Sequence, residues 1–63
     1  MLSFEDVHYL GQTISDLKML VEYIDALIDR NKDFGEEWTT LVIIRVNILD
    51  TINRIKEMVD ASE

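Results

Sequence analysis

Cysteine is absent from this 63-residue chain, which removes a disulfide framework, a thiolate metal site and a cysteine nucleophile from consideration. Proline is absent too, while 48% of the residues are hydrophobic. That balance separates the chain from disordered segments, which are poor in large apolar side chains and cannot offset their ordering entropy. Basic residues are scarce: six Lys and Arg stand against 13 Asp and Glu, for a formal net charge of −7. Such a chain repels the phosphate backbone instead of releasing its counterions, so no direct nucleic-acid binding is expected. Binding to an anionic membrane surface is not expected either, because interfacial helices carry Lys and Arg on their polar face.

Long apolar runs are missing as well. The longest, Leu41 to Ile44, falls far short of the roughly 20 residues that cross a bilayer. The opening Met1-Leu2-Ser3-Phe4-Glu5-Asp6 has neither the basic region nor the apolar stretch of a secretory signal, and a cytoplasmic location is expected. At 63 residues the expectation is one small domain near the lower limit of independent stability, held by packing alone.

What the chain does have is a strict 3,4-spaced run of branched apolar residues, Val7, Leu10, Ile14, Leu17, Val21, Ile24 and Ile28. That spacing marks one helical seam, with Val7, Ile14, Val21 and Ile28 at heptad position a and Leu10, Leu17, Ile24 and Asn31 at d. Ser3 and Asp6 fit a capping box at its start, and Glu5 and Asp6 suit the positive end of the helix dipole. Gly11 lies beside the seam and costs roughly 1 kcal/mol of helix propensity relative to alanine, which marks a place for a bend or a close helix contact. Helix 1 is expected over about residues 4–32, with Arg30 and Lys32 at its negative end, followed by a turn over 33–35.

Helix 2 is expected over about residues 36–61, with Trp38, Leu41, Ile44, Ile48, Leu49, Ile52, Ile55 and Val59 directed inward and an Asp50–Arg54 pair at i,i+4 spacing. The β-branched stretch Thr39 to Leu49 also suits a strand. Against that, a lone strand needs partners, and the 3,4 spacing continues through Ile52, Ile55 and Val59. The fold class is therefore all-α, an antiparallel two-helix hairpin.

A single hairpin leaves apolar surface unexplained. Leu20 and Leu27, beside Met19, Tyr23 and Ala26, widen the apolar face of helix 1 beyond the seam, and Leu41 to Leu49 does the same on helix 2. A helix apolar most of the way round must be contacted from more than one side, so a homodimer forming a four-helix bundle is expected, with its most hydrophobic contacts near the turn. The β-branched a positions with leucine at d also suit parallel pairing of helix 1 with its copy.

Chemical candidates are few. Glu5 and His8 have the Glu-x-x-His spacing that presents two ligands on one side of a helix in di-iron bundles, but a site needs further inward carboxylates at the same level. Asp33-Phe34-Gly35 spells a kinase signature without the loops that give it meaning, and reads as a turn. No catalytic residue, metal site or cofactor is assigned. Arg45 and Asn47 interrupt the most apolar stretch; Arg45 is expected to reach an acid or the surface along its stem, and Asn47 to face solvent. Asn31 would fix register if buried, but beside the turn it is expected to be exposed.

Tyr9, Asp16, Tyr23 and Arg30 recur every seven residues along one edge of helix 1, next to Leu20 and Leu27. Tyrosines among charged residues on one edge suit either a docking strip for a protein partner or the rim of a bundle. The outer acids Glu22, Asp25 and Asp29 serve solubility.

Taken whole, from Met1-Leu2-Ser3-Phe4-Glu5-Asp6 to Glu57-Met58-Val59-Asp60-Ala61-Ser62-Glu63, the chain resembles the short early-region proteins of lambdoid bacteriophages, those encoded between the exonuclease and excisionase genes. The resemblance implies a small helical protein made in the host bacterial cytoplasm that influences the choice between lysis and lysogeny. It carries no functional residue with it. The leading expectation is a non-enzymatic homodimer that binds a host or phage protein through its helix faces. Alternatives are an acidic decoy for the DNA-binding surface of a basic protein and a structural assembly subunit.

Overall fold

The computed structural model describes residues 1–62. It contains two α-helices, α1 (Phe4–Arg30) and α2 (Glu36–Ala61), packed against each other as a hairpin. The molecule measures 45 × 15 × 11 Å, the proportions of two long helices lying side by side.

The start of α1 is fixed by its own side chains. The Ser3 hydroxyl accepts a hydrogen bond from the Asp6 amide at 3.1 Å, and the Asp6 carboxylate accepts one from the Ser3 amide at 3.2 Å. This is the expected capping box, which satisfies donors that a helix end leaves open.

The helix stops at Arg30, two residues earlier than the sequence pattern suggests. The cause is Asn31, whose side-chain amide donates to the Leu27 carbonyl at 2.7 Å while its backbone amide donates to the Ile28 carbonyl at 3.2 Å. Those bonds occupy two of the carbonyls that the helix end leaves open and divert the chain. Asn31 is half-buried rather than exposed.

In the turn, the Asp33 carboxylate accepts a hydrogen bond from the Gly35 amide at 3.0 Å. Phe34 adopts φ 58, the left-handed region, whereas Gly35 has φ −85 and serves as the N-cap of α2. The Phe34 ring meets Trp38 edge-on with centroids 4.9 Å apart.

The β-branched stretch 39–49 is helical throughout. Thr40 and Thr51 donate their hydroxyls to the carbonyls of Glu36 and Asn47, four residues back, so these residues cost the helix no unsatisfied group. At Gly11 the helix continues without interruption, and a Cβ built there would have nothing within 4 Å. No close helix contact calls for that glycine.

Candidate interaction faces

The inner seam is thin. Among the described residues the buried side chains are Val21, Ile24 and Ile52, at 8, 5 and 3% exposure. Around them Val7, Leu10, Ile14, Leu17, Leu27, Ile28, Trp38, Leu41, Ile48, Leu49, Ile55 and Val59 are half-buried. Leu20, which widens the apolar face of α1 beyond the seam, and Ile44 are exposed at 44 and 39%. A helix in a hairpin is covered from one side only, and these two residues sit at the margin of the covered arc.

A hairpin has two long flanks, one on each side of the line where its helices meet. One is fixed by Arg45, whose guanidinium Nε donates to the Asp25 carboxylate across the helix pair. Arg45 thus reaches an acid, as its stem length allows. At 100° per residue, Lys18, Glu22 and Asp29 share this edge of α1 with Asp25. Asp29 pairs with Lys32 at 2.8 Å. Hydrogen bonding and charge attraction from Lys32 hold the Asp29 carboxyl below the ordinary aspartate range, and the same contacts raise the Lys32 ammonium above the ordinary lysine range. This is a charged flank, although Val42, Val46 and Leu49 lie along its α2 edge.

The opposite flank is fixed near the turn by a shallow opening where Asn31, the C-cap of α1, faces Glu36, Glu37, Thr40 and Leu41 of α2. Asn31 stands directly over Leu27, to whose carbonyl it is bonded. Stepping back from it by helical repeats gives Leu27, Tyr23, Leu20 and Asp16; stepping forward from Thr40 gives Ile44, Ile48, Thr51 and Ile55. Between Asp16 and Arg30 on one helix, and between Glu37 and Arg54 on the other, these positions carry no charged side chain, so the middle of this flank is uncharged. Of the apolar residues that widen the seam in the sequence, Leu20, Tyr23, Leu27 and Ile44 fall on this side of the hairpin, and Val42, Val46 and Leu49 on the other.

The four residues of the heptad-spaced strip, Tyr9, Asp16, Tyr23 and Arg30, are all exposed, with the two tyrosines at 57 and 60%. They run along the outer edge of the uncharged flank over about 30 Å of helix. The Tyr9 ring packs edge-on to His8 at 5.9 Å. Glu5 and His8 are themselves exposed, and among the described residues no group of three or more His, Cys, Asp and Glu is gathered as a metal-binding set. Asn47 is exposed, as expected, and Asp50 and Arg54 pair at 2.9 Å. Among the described residues, no helix is long and apolar enough to cross a membrane.

Two features were missed in the sequence. Leu2 joins Met58, Ala61 and Ser62 around an opening at the terminal end, with no periodic signal because it precedes the helix. Phe34 holds a left-handed backbone although a glycine follows it, and its ring meets Trp38 edge-on.

Compared with protein-family models, with curated proteins and with solved structures, the chain matches none of them.

Proposed function

We propose that this chain is a small non-enzymatic interaction protein whose hairpins pair as a homodimer, forming a four-helix bundle that binds another protein. The observation that carries this reading is the flank through Leu20, Leu27, Ile44 and Ile48, uncharged along its middle, beside a seam with so few buried side chains. A domain with so small a core gains stability most readily by covering apolar surface with a partner. The whole-chain resemblance to lambdoid early-region proteins supplies the biological setting: an early phage regulator in the host cytoplasm that modulates phage development through a host or phage protein. The strip of Tyr9, Asp16, Tyr23 and Arg30 is its docking edge, because exposed tyrosines flanked by charges supply contact area at low entropic cost.

The net charge of −7 favours a second reading, an acidic decoy that occupies the DNA-binding surface of a basic protein. Salt separates the two, since attraction between exposed charges fades as the screening length shortens. The test is capture of partners by tagged protein from infected and uninfected bacterial lysate at low and high salt, repeated with Tyr9→Ala and Tyr23→Ala. A partner held at both salts and released by the tyrosine replacements supports the docking edge. Basic nucleic-acid-binding proteins held only at low salt support the decoy. Self-association without any heterologous partner supports a structural subunit.

A further inference from the structure

Resting on the homodimer reading, we infer that the surface joining the two copies is the uncharged flank carrying Leu20, Leu27, Ile44 and Ile48, and that the Asp25–Arg45 flank faces solvent. Three observations select this occupant and this side. The chain exposes 4895 Å², against about 4,200 Å² expected of a compact monomer of its mass. The surplus, roughly 700 Å², is close to the ~800 Å² that each partner loses in an interface of standard size. A second hairpin laid along the first is an occupant of that size, and it adds no sequence beyond this one.

The sides differ in what burial would demand of them. Covering the Asp25–Arg45 flank would desolvate Lys18, Glu22 and Asp29 together with the ion pair, and an unpaired buried charge is far costlier than a buried apolar group. Covering the middle of the other flank desolvates isoleucine, leucine and threonines, with Tyr23 at its rim. Thr40 and Thr51 already donate their hydroxyls to backbone carbonyls, so burial leaves them no unsatisfied donor.

Symmetry points the same way. In a two-fold dimer the same patch serves both copies. An acidic chain therefore meets itself with least repulsion through the part of its surface that carries the fewest charges. Asp16 lies at the rim, where a carboxylate keeps its water, and the tyrosine strip beside it stays available to a further partner.

The test uses sedimentation equilibrium together with thiol labelling, for which the absence of native cysteine gives a clean background. Wild type is expected to show twice the chain mass. Leu20→Glu and Ile44→Glu should weaken the dissociation constant by about 100-fold or more, since each buries an unpaired carboxylate, whereas Val46→Glu on the charged flank leaves the dimer intact. To guard against variants that merely unfold, Leu20→Cys and Val46→Cys are alkylated across a dilution series at constant helicity. The thiol at position 20 should be protected at high protein concentration and released on dilution, and the thiol at 46 should react at one rate throughout. A monomeric wild type at every concentration overturns the homodimer reading itself. A dimer that protects position 46 and leaves position 20 reactive overturns the assignment of the face while keeping the dimer.

Discussion

Arg45 donates to the Asp25 carboxylate across the helix pair, and among the described residues this is the ion pair that links α1 to α2. Both side chains are partly open to water, at 39 and 49% exposure. Screening at such exposure keeps a pair of this kind to about 0.2–1 kcal/mol. Its larger effect is on arrangement, because it sets the level at which the two helices lie beside each other and marks one flank as charged.

A double-mutant cycle with Asp25→Asn and Arg45→Met should therefore return a coupling of about 0.2–1 kcal/mol that shrinks as salt rises. Urea denaturation at two ionic strengths measures it. A coupling of several kcal/mol that ignores salt would show the pair to be shielded from water, and with it that the charged flank is the covered one.

Ile24 is 5% exposed at the centre of the seam. Ile24→Asp puts a carboxylate there without a partner, at a cost of several kcal/mol, comparable to the whole stability of a small domain. Far-ultraviolet circular dichroism should show loss of helix at neutral pH. Met19→Asp, at a site 68% exposed on the same helix, should stay within about 0.5 kcal/mol of wild type. An Ile24→Asp protein with unchanged helicity and mass contradicts the placement of the seam.

Gly11 sits in α1 with open space where a Cβ would go. Gly11→Ala should raise stability by about 0.5–1 kcal/mol, by restricting the unfolded chain and removing the helical cost of glycine. At a fixed protein concentration that corresponds to a Tm increase of several degrees, about 4–8 °C per kcal/mol for a domain near this size. A fall in Tm would mean that another chain approaches α1 closely at that point.

The exposed Asp29–Lys32 pair carries a pH signature with a definite sign. Because the Asp29 carboxyl is held below its ordinary range in the fold, its contribution is present above the unfolded aspartate value and is lost as pH falls through the folded one. The Lys32 ammonium, raised above its ordinary range, contributes below the unfolded lysine value, and that contribution is lost as pH rises through the folded one. Carboxyl titration followed by NMR should show the Asp29 midpoint moving up in Lys32→Met and in high salt. An unmoved midpoint would remove Lys32 as the cause.

How much of this was legible in the sequence depends on which interactions have a period. The seam through Val21, Ile24 and Ile52 was visible because burial on a helix repeats with the helix, and the Ser3–Asp6 capping box because its spacing is fixed by the first turn. Leu20 and Ile44 belong to the wider apolar face, and one partner helix leaves them at its margin. Periodicity reports the width of an apolar face and is silent on how many partners cover it. The end of α1 was misplaced by two residues because Asn31 folds its side chain back onto Leu27, a local hydrogen bond that competes with another turn of helix. The candidate strip of Tyr9, Asp16, Tyr23 and Arg30 was legible as an edge, but its position beside the uncharged flank depends on which way α2 packs.

Phe34 is where local preference and the observed backbone disagree. At φ 58 a residue with a Cβ is strained by roughly 1–2 kcal/mol, and an edge-on aromatic contact such as that with Trp38, at 4.9 Å, returns about 0.5–1.5 kcal/mol beyond its buried area. Removing the ring without relieving the backbone should expose the difference. Phe34→Ala keeps the strain and loses the contact, so it should destabilise the hairpin. Phe34→Asn also loses the contact, but asparagine tolerates the left-handed region, so it should be the more stable of the two variants by about 0.5–1 kcal/mol. In a Trp38→Ala background the loss from Phe34→Ala should shrink, because the ring then has no partner. Urea midpoints of the single and double variants give all three comparisons. Equal stability of the Ala and Asn variants would mean that the turn relaxes once the ring is gone, placing the origin of the left-handed conformation in the Phe34–Trp38 contact rather than in the tight path from Asn31 to Gly35.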